Sequence, residues 1–160
     1  MASDRRRSLD VERAVTAFVR HDVRFVVVGG IAAILHGWPG ATADLDVLGA
    51  FDPVNLDRLA AALNELGATA PGWDGTAGTL ATQTVWPLET DAGPVDLLFV
   101  LEPWGVYGDL HPRSEEVPAF GVAIPVVSLD DLIELKRAVG RPKDLRAAVE
   151  LEELRRERGG

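Results

Sequence analysis

Phe25-Val26-Val27-Val28-Gly29-Gly30-Ile31 and, one short loop later, Thr42-Ala43-Asp44-Leu45-Asp46-Val47-Leu48 are the stretches on which the fold of this 160-residue chain turns. The first opens with an apolar, β-branched run from Arg24 to Val28, which predicts a buried strand stopped abruptly by two glycines. Ile31 to His36 then reads as a short helix closed by Gly37 and Pro39. A strand that enters a helix through glycines exposes backbone N–H groups at the helix start, where a phosphate can bind. Two familiar phosphate motifs are excluded. A dinucleotide fingerprint needs glycine at 29, 31 and 34, but Ile31 and Ile34 occupy two of these, and no Gly-Lys-Ser/Thr triplet follows. By itself, such a glycine pair is more often a structural turn.

The second stretch alternates polar and apolar residues and predicts a strand with one buried face. Side chains two apart on a strand point the same way, with Cα atoms about 6.5–7 Å apart. Asp44 and Asp46 therefore share a face, while Leu45 and Val47 bury the other. Two carboxylates held together repel unless a divalent cation sits between them, and hard oxygen ligands suit Mg²⁺. A solvent-facing edge strand is the plainer account of an isolated Asp-x-Asp. A third carboxylate, Asp96, opens the otherwise apolar run Val95 to Leu101, where a charge is costly unless paired, hydrogen-bonded or metal-bound. Beside Asp44 and Asp46 it would complete a site able to activate a hydroxyl and neutralise a triphosphate. Lys136 falls on the inward stripe of its helix with Leu129, Leu132 and Ile133. It either snorkels at the core margin or holds a phosphate or site carboxylate.

Working outward, a first helix is expected from Asp10 to Arg20. Asp52 and Pro53 start another, carrying Leu56, Leu59, Ala60 and Leu63 and stopping at Gly67. Residues 70–79 read as a Gly-rich loop. Leu80–Leu88 and Val95–Leu101 read as neighbouring strands joined through Asp91-Ala92-Gly93-Pro94, and Val122–Val127 as a last strand. Residues 102–121, broken by glycine and proline, receive no assignment. Ser128 caps a helix to Val139, and a charged helix runs from Lys143 to about Arg156. This order predicts an α+β (mixed α/β) domain: a mixed central sheet flanked by helices, with residues 128–156 as a C-terminal helix pair packed on the core. Residues 1–160 are expected to form one domain, with residues 1–9 disordered.

With no cysteine, disulfide scaffolds, thiolate zinc sites and cysteine nucleophiles are excluded. The three histidines are far apart in sequence and form no i,i+4 metal pair. The longest stretch free of polar side chains, Phe25 to Leu35, is too short to span a bilayer. Arg5-Arg6-Arg7 is followed by Ser8-Leu9-Asp10-Val11-Glu12 where a twin-arginine signal needs an apolar segment. A cytoplasmic protein with no membrane partner is the expectation. The net charge of −9 is unevenly spread: residues 25–135 carry −14, whereas the segments before and after carry +2 and +3. The acidic centre argues against duplex nucleic-acid binding. Basic ends around it suit a site that holds cations yet attracts a polyanion, although the final helix also reads as a solvated charged face.

Together, Gly29-Gly30, Thr42-x-Asp44-x-Asp46 and Asp96 resemble the nucleotidyltransferase superfamily, with its polymerase-beta-like fold. Val28 through Pro39, Ser128 through Lys136 and Gly140-Arg141-Pro142-Lys143-Asp144-Leu145 look like its small bacterial branch of abortive-infection-type toxins. The resemblance covers about residues 24–154. It implies an enzyme that moves a nucleoside monophosphate from an NTP to an acceptor hydroxyl with Mg²⁺ or Mn²⁺. Asp44, Asp46 and Asp96 would be the catalytic metal ligands. Gly29, Gly30, Thr42, Lys136 and Asp144 would bind nucleotide. The acceptor would be RNA, such as a tRNA end in a toxin–antitoxin system with a cognate antitoxin as partner, or a small molecule such as an antibiotic. Two positions depart from the family pattern. Gly40 stands where an arginine is frequent, four residues before the first aspartate. Ala147 stands where an acid is frequent. These departures leave open an inactive domain of the same fold that senses nucleotide or binds a partner. Of the four tryptophans, Trp38 and Trp73 lie near enough to the site motifs to stack on a base, although packing is their commoner role.

Overall fold

The computed structural model describes residues 7–159. The chain runs α1 (Val11–Arg20), β1 (Phe25–Val28), α2 (Gly29–Leu35), β2 (Leu45–Gly49), α3 (Pro53–Glu65), α4 (Ala77–Leu80), β3 (Val85–Thr90), β4 (Gly93–Leu98), α5 (Tyr107–Leu110), β5 (Glu115–Ala119), β6 (Val122–Val126), α6 (Leu129–Val139) and α7 (Pro142–Gly159). A 3₁₀ turn, His111–Arg113, follows α5. The six strands form one mixed sheet in the order β3-β4-β2-β1-β6-β5. Strand β2 runs antiparallel to β1 and parallel to β4, while β6 runs parallel to β1.

Local chemistry sets the helix starts. Asp10 accepts from Arg13 N, Asp52 from Asn55 N and Ser128 from Asp131 N, each satisfying a donor of a first turn. Asn55 is fully buried. It accepts from Arg24 N at 2.7 Å and donates to the carbonyls of Arg24 (3.0 Å) and Ala50 (2.8 Å), tying α3 to the entry of β1 and the exit of β2. Leu45 and Val47 are fully buried. On the same face a Cβ added to Gly49 would meet Leu59 Cδ1 of α3 at 3.2 Å, so α3 closes this side of the sheet. Helix α6 packs against both α2 and α7.

Several boundaries differ from expectation. Helix α2 begins at Gly29, without a linker after β1. The strand expected over Leu80–Leu88 lies at Val85–Thr90 instead, because Thr76 caps a short helix that takes in Leu80. Leu80 O then accepts from the buried Trp86 Nε1 at 2.9 Å. Strand β4 starts at Gly93 and ends at Leu98, because Thr90 and Gly93 close a two-residue hairpin over Asp91 and Ala92. The unassigned segment holds α5, the 3₁₀ turn and β5, which pairs with β6 along its length. The disorder expected of residues 1–9 falls, for residues 1–6, outside the described residues. Leu9 lies against Gly93, and Asp10 N donates to Ala92 O at 2.7 Å. Among the described residues, no helix is long and apolar enough to cross a membrane.

Candidate functional site

The sheet register builds the centre of the site. Val28 pairs with Asp46 across β1 and β2, and Asp46 pairs with Asp96 across β2 and β4, so the three residues form one row. Gly29 follows Val28 directly and lies against the carboxylate; a Cβ placed there would sit 2.2 Å from Asp46 Oδ2. Its φ of +71° is a second reason for glycine at this point. Gly30 abuts Thr42 in the same way, with Thr42 Cβ 2.8 Å from where a Cβ would be, which folds the loop before β2 back onto the start of α2.

Asp46 and Asp96 approach within hydrogen-bonding reach. Burial first, then the charge and hydrogen bond of Asp96 and the charge of Asp44, push the Asp46 carboxyl up to about 7, against a smaller opposing effect of Lys136. Two carboxyl groups are therefore crowded together where one cation would relieve both. Asp44, just before β2, is half-buried and close enough for its charge to act on Asp46. Among the described residues, no three His, Cys, Asp or Glu side chains are already drawn into a metal-holding cluster. The donor set nevertheless fits a hard divalent cation. Asp46 and Asp96 offer adjoining carboxylate oxygens, and Asp44 lies two residues along on the same side.

A cleft of about 790 Å³ opens over this row. Gly29, Gly30, Thr42, Asp44, Asp46, Asp96, Lys136 and Asp144 all line it, so the structure brings the candidate metal-ligating and nucleotide-binding residues of the sequence together in one place. Asp144 is 2% exposed and takes Arg141 Nε at 2.6 Å and Lys136 Nζ at 3.6 Å. Burial would raise its carboxyl, but the hydrogen bond from Arg141 and the charge of Lys136 outweigh burial and hold it below the ordinary carboxylate range. Asp144 thus acts as the anchor of two cations at the α6–α7 corner.

Sequence reasoning gave no role to Arg141, Lys143, Arg146, Glu102 and Glu150, which also line the cleft. Lys143, Arg146 or Ala147, and Glu150 follow at three- and four-residue steps, so one face of α7 looks into the cleft. That spacing was visible in the sequence; which face turned inward was not. Among the described residues, neither Lys143 nor Arg146 has an ion-pair partner. The cleft therefore has an acidic floor on the sheet and a basic wall at the start of α7. Trp73 does not line it; its Nε1 donates to Thr76 O at 3.0 Å. Trp38 does line it.

No known family profile and no curated protein sequence matches the chain. Solved structures do. A protein of Thermotoga maritima assigned as a nucleotidyltransferase, TM1012, is 20% identical with a TM-score of 0.57, over 89% of this chain and 90% of that one. The lincosamide antibiotic adenylyltransferase LnuA, solved with lincomycin bound, is 14% identical with a TM-score of 0.65, over 92% and 99%. The antibiotic-resistance factor ANT(2'')-Ia, solved in complex with adenylyl-2''-tobramycin, is 16% identical with a TM-score of 0.56, over 94% and 97%. With the Gly-Gly turn, the carboxylate row and the basic wall in one cleft, these likenesses establish that the chain has the fold of the nucleotidyltransferases.

Proposed function

We propose that the cleft transfers a nucleoside monophosphate from an NTP to a hydroxyl group of a small-molecule acceptor. The observation that carries this is the meeting of Asp46 and Asp96, beside Asp44, under a wall that presents Lys136, Arg141, Lys143 and Arg146. A polyanion needs the wall, and a reacting hydroxyl needs the carboxylates. In the reaction the acceptor oxygen forms a bond to the α-phosphorus. The bond from that phosphorus to the bridging oxygen breaks, and pyrophosphate leaves with its electron pair. Asp96, a ligand that also faces the acceptor, takes the hydroxyl proton. Asp44 and Asp46, with Asp96, would hold Mg²⁺ or Mn²⁺, which when bound neutralises phosphate charge and makes the hydroxyl more acidic. Gly29 and Gly30 present backbone N–H groups to the phosphates, Thr42 supports that turn, and Asp144 aims Lys136 and Arg141.

The acceptor class follows from where the charges are engaged. Arg137 pairs with Glu134 and Glu152, Arg155 with Asp130, and Arg158 with Glu115, so much of the basic surface beyond the cleft is neutralised within the chain. A tRNA acceptor, and with it a toxin role and an antitoxin partner, would need that surface free. A cleft of about 790 Å³ with Glu102 and Glu150 on its lining suits a compact, hydroxyl-bearing, cationic molecule beside the nucleotide. The solved relatives with lincomycin and with adenylyl-tobramycin support this choice.

The experiment supplies each α-labelled NTP, with Mg²⁺ or Mn²⁺, to the protein together with tRNA or with a panel of aminoglycosides and lincosamides. An Asp44→Ala, Asp46→Ala variant runs alongside. Label on a small molecule with the wild type alone is expected. Label on tRNA would transfer the assignment to the RNA-directed reading. Equal labelling by the double variant would overturn the site. NTP binding without transfer to any acceptor would leave a nucleotide-sensing domain.

A further inference from the structure

The family resemblance leaves a gap at Gly40, where an arginine is frequent, and the structure shows what fills it. The six-membered ring of Trp38 lies across the Gly40 Cα; a Cβ there would fall 2.0 to 2.3 Å from Cη2, Cζ2 and Cζ3. In this structure the ring occupies the space that a side chain at position 40 would enter. The indole Nε1 is buried and has no hydrogen-bond partner, and it is the one such side-chain atom among the described residues. The other tryptophan N–H groups for which a partner is recorded, those of Trp73 and Trp86, are bonded to backbone carbonyls. An indole N–H can only donate. A buried donor left unmade is a cost that native structures rarely carry without a use.

Resting on the proposed function, we infer that Trp38 is a nucleotide-binding residue whose Nε1–H donates to a phosphate oxygen of the NTP. Trp38 lines the same cleft as Gly29, Gly30 and the basic wall. Its loop returns directly to Thr42, which lies against Gly30. A phosphate is the acceptor suited to a lone strong donor beside cations. Because water does not reach Nε1 with the ring down on Gly40, the ring lifts as the nucleotide seats. Trp38 N is bonded to Ala33 O at 2.9 Å, so the movement is a turn of the side chain about its own bonds.

The test compares wild type with Trp38→Phe, which keeps a ring and removes the donor. Binding of each NTP and of inorganic tripolyphosphate, all with Mg²⁺, is measured by calorimetry, and the melting temperature is measured without ligand. Trp38→Phe is expected to weaken NTP and tripolyphosphate alike by about tenfold, the effect of one hydrogen bond to a charged group. Its unliganded melting temperature should stay level or rise, since an unmade donor has been removed. A purely structural tryptophan would give the reverse pattern, a lower melting temperature with unchanged affinity, and would overturn the inference. Loss on NTPs alone would overturn the phosphate assignment. Should Trp38→Phe unfold, Gly40→Ala, which pushes on the ring from below, must alter affinity if the inference holds; unchanged affinity overturns it. Failure of wild type to bind any NTP would refute the underlying functional reading instead, so the two failures are separable.

Discussion

Asparagine at position 46 keeps the shape of the aspartate and removes its charge. In the native protein, burial and the neighbouring Asp96 and Asp44 lift the Asp46 carboxyl from 3.8 to about 7. The folded state therefore holds a proton that the unfolded chain releases. The contribution of Asp46 to stability is full below pH 3.8 and falls as pH rises, until the native proton is lost near 7. At about 1.4 kcal/mol per pH unit the whole interval is worth about 4 kcal/mol. The amide still faces Asp96 and recovers about half of this, so Asp46→Asn should gain about 2 kcal/mol at pH 8. For a chain of this size that is about 4–8 °C in melting temperature. The assay is thermal unfolding with chelator present, at pH 4 and pH 8, for both proteins. The gain should appear at pH 8, shrink toward pH 4, and accompany a complete loss of nucleotidyl transfer. A variant no more stable than wild type at pH 8 would refute the crowding of carboxylates on which the site is argued.

Gly29→Ala should abolish transfer and cost at least about 2 kcal/mol, because the new methyl would meet Asp46 Oδ2 at 2.2 Å with φ at +71°; activity and melting measurements on one preparation check both. Asn55→Ala breaks three hydrogen bonds, one of them fully buried, and strands backbone groups of Arg24 and Ala50. It should lower stability by about 3 kcal/mol in a denaturant titration. Asp144→Asn removes a carboxylate held low by Arg141 and Lys136. Its stabilising effect exists above the ordinary carboxylate pKa and is lost as pH falls through the lower native value. The variant should therefore melt below wild type at pH 7 and level with it in strong acid, with NTP affinity reduced about tenfold.

Much of the centre could be read in the sequence because its signals are local. The β-branched run into Gly29-Gly30, the alternation around Asp46 and the caps at Asp52 and Ser128 each depend on neighbours a few residues away. What stayed hidden depends on distance. Strand β5 carries Glu115, Glu116 and Pro118, which give no strand signal until pairing with β6 supplies a partner. The run Leu80–Leu88 has the composition of a strand, yet the Thr76 cap and the Trp86 bond to Leu80 O override it. The basic wall was legible as a charged helix but not as a cleft lining, because α7 has no clean apolar stripe to orient it. Gly40 is noticeable in the sequence only as a missing arginine; the indole above it belongs to the folded chain.

The row Val28–Asp46–Asp96 has a consequence for how the chain can go wrong. Moving β2 by one residue against β1 and β4 would turn Asp44 and Asp46 into the face now filled by Leu45 and Val47, beneath Leu59. Burying two carboxylates among leucines is prohibitive. The aspartates that make the native sheet uneasy thus make its nearest misfold worse still. The same side chains to which we assign the chemistry proofread the assembly of the strands that carry them.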